Sequence, residues 1–385
     1  MPSFTGIQSP VRAARIAVSA LFFSAGFCFS SWASRIPAIQ QKMQLNEAGL
    51  GMVLLSLPAG LMLGLPVSGF LVARYGSRVT SIIACLIYAL ILPFLGLVTV
   101  VWQLVIVLFL FGFAGNLLNI AMNTQGVNVE DEYGRSIMTS FHGVWSVAGF
   151  SGAAIGMLML SFSASPFLHF CIITVLVWSI VFVVYKYLPA KDVHSGSNVP
   201  LFAKPDSTLL KLGLIAFCCM VCEGTMFDWS GIYFAKEVHA PKSFTTLGYV
   251  AFMTTMAGGR FAGDWLSVKL GRKNMIRISG LLIATGLMLA VALPFMVPAT
   301  IGFLITGMGV SSVVPLVYSA AGRSGKLSSG VALAAVSTIG YLGFLFGSPV
   351  IGLIAQAFSL RWSFTLIAFL GLGTTLLAGF SKIEK

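Results

Sequence analysis

The sequence predicts an all-α membrane protein with twelve transmembrane helices in two six-helix bundles, and three observations predict it. Of the 385 residues, 57% are hydrophobic and only 9% charged, against roughly 25% charged residues in an ordinary soluble domain. Apolar stretches of about 20 residues recur along almost the whole chain, each long enough to cross a ~30 Å hydrocarbon core at 1.5 Å per residue. One long polar segment, "KYLPAKDVHSGSNVPLFAKPDST" (186–208), interrupts them midway. Helices rather than strands are expected, because runs such as "IIACLIYALILPFLGLVTVV" (82–101) lack the apolar–polar alternation of a membrane barrel.

In chain order, the first span (16–34) follows Arg12 and Arg15. It reads as an uncleaved helix rather than a signal peptide, since no clean small-x-small cleavage site comes after it. Spans 47–71, 79–100, 103–125, 138–160 and 166–187 complete a first bundle over residues 1–187. Residues 188–208 form a central linker. A second bundle over 209–385 holds spans 209–235, 244–267, 274–296, 299–320, 328–356 and 362–381.

Lys and Arg test this threading, because cytoplasmic loops collect them. With the N-terminus inside, seventeen of the 23 Lys and Arg residues fall in inner segments and five in outer ones (Arg35, Lys42, Lys236, Lys242, Arg361), with Arg260 left inside a span. Both termini are therefore expected on the cytoplasmic side. The net charge of +12 is accounted for by topology, so no nucleic-acid partner is expected. All six cysteines fall inside spans, and the Cys219-x-x-Cys222 pair reads as small buried hydrophobes.

The two halves echo each other. "GLPVSGFLVARYGSR" (64–78) and "GRFAGDWLSVKLGRK" (259–273) each follow the second span of their half. Aligning Gly76 with Gly271 also aligns Gly64 with Gly259 and Arg74 with Lys269. Such repetition suits a two-bundle carrier whose halves rock about a midplane site. These loops resemble the G-x-x-x-D-R-x-G-R signature of the major facilitator superfamily, and span number, central loop and repeat extend the resemblance over the whole chain. "SSWASRIPAIQ" (30–40), "GVWSVAGFSGAAIG" (143–156) and "FDWSGIYF" (227–234) are further similar to the fucose-permease-like branch, including YbjJ-type bacterial inner-membrane permeases. The resemblance implies a secondary transporter of the bacterial inner membrane in which the first span of each half lines a central cavity. One departure stands out: the acidic position of the first loop is Ala73, and Asp264 in the second loop does not fall at the equivalent place. Arg74 and Arg78 are instead expected to meet the acidic run Glu130, Asp131 and Glu132 as an inner gating latch, unless that run is only a solvated loop.

Polar residues at bilayer depth carry the functional expectations. Glu223 lies about 20 Å along the seventh span, counting from Leu209, where an uncompensated charge costs at least ~2.5–3.5 kcal/mol. It must face the bundle interior or a wet cavity. One reading makes it the proton-coupling group; the other makes it a neutral hydrogen-bonded tie between helices. Asp228 is about 140° around the helix from Glu223, so the two cannot share a proton unless the helix breaks at Gly224. Asp228 and Trp229 mark either the outer interface or a substrate contact. Asn116, Asn119 and Asn123 recur at helical spacing, and either line an aqueous substrate path or tie helices together. His142, with Trp145, Ser146 and Gly149 at helical spacing, reads as a structural or gating hydrogen-bonding group. Arg260 has Asp264 one turn away as its nearest counter-charge, and both are gating candidates. Ser311, Ser312, Pro315 and Tyr318 are placed on the cavity wall.

No nucleotide-cradling loop and no metal-ligand cluster is present in the sequence, and no soluble segment is large enough to hold a catalytic site. No enzyme activity, metal or cofactor is expected. The expected partners are a small-molecule substrate, a proton and the lipid bilayer, and the protein is expected to be a monomer. The function expected is proton-coupled movement, as a symporter, of a small polar, sugar-like solute by alternating access. The alternatives are efflux of amphipathic compounds, which the abundant Phe and Met would suit, and a non-transporting membrane sensor.

Overall fold

The computed structural model of the protein describes residues 9–134, 137–190, 206–322 and 329–380, apart from the side chains of Ser9, Thr139, Asp264, Val268, Ser329, Val331, Leu333 and Ala334. Most of the expected linker and the side chain of Asp264 thus lie outside the described residues. Among those residues all regular structure is helical: fifteen α-helices and two short 3-10 turns.

The chain divides into two compact units. The first comprises Met1–Met43 and Ser56–Ser197. It contains α1 (Ser9–Ala33), α2 (Ile36–Met43), α4 (Ser56–Tyr75), α5 (Ser77–Leu97), α6 (Val101–Tyr133), α7 (Met138–Ser161) and α8 (Pro166–Val184). The second comprises Gln44–Leu55 and Asn198–Lys385. It contains α3 (Glu47–Leu54), α9 (Ser207–Lys236), α10 (Leu247–Leu270), α11 (Arg272–Ala292), α12 (Met296–Val310), α13 (Val313–Gly322), α14 (Ser329–Ala357) and α15 (Leu360–Phe380).

Two of the expected spans are each built from two helices. The second is α3 plus α4, divided at Leu55, and the α3 part belongs to the second unit. There Gly51 lies against the backbone of Ser348 and Gly352 on α14, and Glu47 pairs with Lys236 at the end of α9. The tenth is α12 plus α13, separated by Ser311 and Ser312. Among the described residues, eleven of the twelve expected spans are helical segments long and apolar enough to cross a membrane. The exception is the eighth, α10, whose 24 residues are helical but carry Arg260, Asp264 and Lys269.

The sequence repeat reappears as repeated packing inside each unit. In the first, α1 packs on α7, α4 and α5 on α6, and α5 on α8; in the second, α9 packs on α14, α10 and α11 on α12, and α11 on α15. Gly76 (φ 81°, ψ 154°) and Gly271 (φ 77°, ψ 146°) take the same conformation at the head of α5 and α11, with φ in the region that a Cβ disfavours. That explains a glycine at both positions of the repeat. Close approach of α4 to α6 is likewise dictated by residue size. A Cβ on Gly60 would strike the carbonyl of Phe109, and one on Gly112 that of Leu57, so glycine at these positions lets the two backbones meet.

Local chemistry sets the helix starts. Asp206 accepts from the Leu209 amide at 2.8 Å to cap α9, and Ser165 accepts from the Leu168 amide at 3.2 Å to cap α8, with Pro166 as its first residue. Each satisfies one of the backbone donors that a helix N-terminus leaves free. Outward faces are apolar: Phe182, Val183, Val175, Phe94, Trp102, Phe358 and Phe380 are all more than half exposed. In water so much apolar surface would be a liability; against lipid tails it is the natural exterior.

Candidate functional site

The second unit gathers the polar groups of its interior around α9. This helix runs unbroken from Ser207 to Lys236, so the break at Gly224 that would let Glu223 and Asp228 share a proton does not occur. Gly224 instead lies where a Cβ would press on the Phe344 ring of α14. Glu223 is 7% exposed and accepts from Arg260 Nη2 on α10 at 3.3 Å. The seventh-span glutamate is therefore paired with a cation contributed by another helix.

Asp264, the counter-charge expected for Arg260 one turn away, lies outside the described side chains; across the helices Arg260 pairs with Glu223, which ties α9 to α10. Asp228 points elsewhere, accepting from Ser348 Oγ on α14. Trp229 is fully buried, its indole enclosed by protein. Ser311 and Ser312 are also buried. Ser311 Oγ donates to the Met308 carbonyl at 2.7 Å, so these hydroxyls serve the step between α12 and α13 and the contact with Gly259 on α10.

In the first unit the asparagine row divides in two. Asn116 is buried, and its Oδ1 accepts from Ser68 Oγ on α4 at 2.8 Å. Asn123 Nδ2 donates to the Asn119 carbonyl at 2.7 Å and to its Oδ1 at 2.8 Å, and both of these side chains are half-buried. Asn116 is thus a helix tie, whereas Asn119 and Asn123 form a partly exposed amide pair. His142 is exposed on α7 and stands edge-on to Phe22 of α1, with ring centroids 5.2 Å apart.

The expected latch of Arg74 and Arg78 on the acidic run is not formed among the described residues. The Arg74 guanidinium lies over the rings of Phe70 and Tyr75, while Arg78 Nη2 donates to the carbonyls of Tyr185 (3.1 Å) and Lys186 (3.3 Å). Those carbonyls lie just past the end of α8, where the helix dipole is negative and a cation is favoured. Glu130 has local work as well: its Oε2 accepts from the amides of Ile137 and Met138, both at 2.7 Å, at the start of α7.

One buried pair escaped the sequence reading. Arg35, 1% exposed, donates through Nε to Nδ1 of His169 at 3.1 Å, and His169 is 0% exposed. The two are 134 residues apart, so spacing could not reveal them; the available signal was an arginine beside an apolar span. Among the described residues no three His, Cys, Asp or Glu side chains are grouped as metal ligands would be.

The comparisons with known proteins agree with this architecture. The sequence pattern of the Major Facilitator Superfamily matches residues 17–328. An uncharacterised MFS-type transporter of Yersinia pestis is 34% identical over 354 residues, covering 91% of each chain. Among solved structures, a D-xylose-proton symporter matches with a TM-score of 0.78 at 14% identity over 98% of each chain. The nucleoside transporter NupG matches with a TM-score of 0.75 at 14% identity, over 97% of this chain and all of that one. The chain belongs to the major facilitator superfamily and is a multi-pass membrane transporter, not an enzyme.

Proposed function

We propose that the protein is a proton-coupled secondary transporter of a small polar, sugar-like solute, with Glu223 as the proton carrier and Arg260 as its counter-charge. The observation that carries the reading is the buried Glu223–Arg260 pair between α9 and α10. Burial disfavours a carboxylate's charged form, and a neighbouring cation restores it. The protonation state of Glu223 therefore depends on how closely Arg260 approaches, and any rearrangement that separates the pair favours protonation. Protonated Glu223 in turn releases a guanidinium whose planar donors suit hydroxyl and carboxylate oxygens of a polar solute. Competition between substrate and Glu223 for Arg260 is a direct route from binding to proton movement.

The half-exposed amides of Asn119 and Asn123 offer donors and acceptors that match paired hydroxyls, which supports a polar solute over an amphipathic drug. The solved structures share only the fold at these identities and carry no substrate assignment. The Lys and Arg distribution supports insertion in a bacterial inner membrane with both termini cytoplasmic, and the two units support a pair of helical bundles joined by the central segment.

The deciding experiment uses purified protein in vesicles with an imposed pH gradient. Candidate solutes are first found by thermal stabilisation of detergent-purified protein against sugars, sugar acids and nucleosides, since a ligand that binds the native state raises its melting temperature. Uptake of the hit is then measured with the gradient present and collapsed. Accumulation only with the gradient supports coupling. Equal uptake in both refutes coupling, and stabilisation by amphipathic cations alone would instead favour the efflux reading.

A further inference from the structure

We propose that the second unit docks an anionic phospholipid where α11 begins and α15 finishes, with Lys273 and Arg277 holding the headgroup phosphate and an apolar strip beside them taking the acyl chains. The site needs only helices that span a membrane and is independent of the proton reading. Thr375 Oγ1 on α15 donates to the Arg277 carbonyl at 2.9 Å. A Cβ on Gly280 would strike Thr375 and the Gly371 carbonyl, so the two helices lie side by side at this level. Arg272, Lys273 and Arg277 fall within six residues at the start of α11, and neither α11 nor α15 contains an aspartate or a glutamate.

No hydrogen bond or ion pair engages the side chains of these three cations among the described residues. In the first unit the equivalent place is filled by protein. Gly271 and Gly76 correspond in the repeat, which makes Lys273 the counterpart of Arg78, and Arg78 gives its donors to the carbonyls past α8. At the end of α15 the Phe380 carbonyl is already taken by Lys211 of α9 at 3.3 Å. Lys273 and Arg277 also stand one turn apart on one face of α11, where like charges repel until an anion joins them. The start of α11 reaches headgroup depth, and Arg277 lies about 7 Å further in. The same face continues into Leu281, 45% exposed, while α15 alongside exposes Leu376 at 61% and Phe380 at 75%. Inorganic phosphate would satisfy the cations but not this strip; a phospholipid matches both. The absence of acids on the two helices favours an anionic headgroup over a zwitterionic one, whose ammonium would find no counter-charge there.

The test uses full-length protein in a neutral detergent with phosphatidylglycerol, phosphatidylcholine or inorganic phosphate added, and reads the melting temperature together with bound lipid by native mass spectrometry. Phosphatidylglycerol should raise the melting temperature saturably and stay bound. Phosphatidylcholine should bind about tenfold more weakly, and inorganic phosphate should have no effect. Lys273→Gln/Arg277→Gln should lower the affinity for phosphatidylglycerol about fivefold for each cation removed. Arg12→Gln/Lys186→Gln, which removes two exposed cations elsewhere, should stay within about twofold of wild type. Equal responses to the two lipids would leave apolar contact alone, and a response to inorganic phosphate would mean a free-anion site. An unaltered affinity in Lys273→Gln/Arg277→Gln, or the same loss in Arg12→Gln/Lys186→Gln, would put the lipid elsewhere; each of these results overturns the site. Should the double variant not fold, the single variant Lys273→Gln and the wild-type lipid comparison still decide it. Because binding is read without transport, the outcome is distinguishable from any failure of proton coupling.

Discussion

Glu223 and Asp228, on one unbroken helix, look toward different neighbours: Glu223 toward Arg260 on α10 and Asp228 toward Ser348 on α14. The two carboxylates that interrupt this apolar span are therefore not a pair. One meets a cation, the other a hydroxyl, and they should differ in what their removal does.

Replacing Glu223 by Gln preserves shape but removes the titratable group and the carboxylate that accepts from Arg260 Nη2. Solute accumulation driven by a pH gradient should fall to the level seen without one, while exchange of internal for external solute persists. The uptake profile should become flat with pH. Stability should drop by about 1–3 kcal/mol, the cost of weakening a hydrogen bond to a buried charge, and should partly return in the double variant Glu223→Gln/Arg260→Gln, where the guanidinium charge that the carboxylate had compensated is also gone. Uptake against pH and melting temperatures for the three proteins check this; a pH profile identical to wild type retires the coupling role.

Asp228→Asn retains an oxygen that can accept from Ser348, so it should keep the pH dependence of transport and lose less than about 1 kcal/mol. Ser348→Ala removes the donor and leaves a carboxylate oxygen unsatisfied, which should cost about 1–3 kcal/mol. A flattened pH profile in Asp228→Asn would move the proton to the wrong carboxylate for our reading.

How much of this was visible in the sequence depends on the range of the interaction involved. Hydropathy and the repeat around Gly76 and Gly271 exposed the helices and their twofold arrangement, because span length and the φ of those glycines are local properties. Glu223 stood out for the same reason: a charge in an apolar run is anomalous whatever surrounds it. Its contact with Arg260 was not foreseen because the two lie 37 residues apart and only tertiary packing joins them. The asparagine row shows the other limit. Spacing put Asn116, Asn119 and Asn123 on one side of α6, yet whether that side meets a neighbouring hydroxyl or open space depends on Ser68 of α4, which no periodicity of α6 encodes.

That division predicts opposite phenotypes along one helix. Asn116→Ala breaks the interhelical bond to Ser68 and should lower stability by about 0.5–1.5 kcal/mol with KM unchanged within about twofold. Asn119→Ala should leave stability nearly intact and raise KM for the polar solute about tenfold, the worth of one charge-free hydrogen bond made to substrate. Parallel thermal melts and uptake titrations separate them. A KM effect confined to Asn116 would reverse the assignment.

Charge reversal at Arg74 and Asp131 separates an ion-pair latch from the contacts that Arg74 and Arg78 make. If an ion pair to Asp131 were the purpose of these arginines, reversing both charges in Arg74→Glu/Asp131→Arg would restore what Arg74→Glu loses. The structure gives them other partners: aromatic faces for Arg74 and the carbonyls beyond α8 for Arg78. Neither role is served by a glutamate, and neither is repaired by an arginine at position 131. Arg74→Glu should therefore reduce transport with no rescue in the double variant. Arg78→Ala should cost about 0.5–2 kcal/mol, because it removes both a cation from a helix C-terminus and the donors to two carbonyls. Arg78→Lys should recover part of that loss, since it restores the charge without the planar fork. Thermal melts of the two Arg78 variants, together with uptake by the single and double Arg74 variants, measure each expectation. Full rescue by Asp131→Arg would mean that the aromatic contacts of Arg74 are incidental and that the ion pair is what the transport cycle uses.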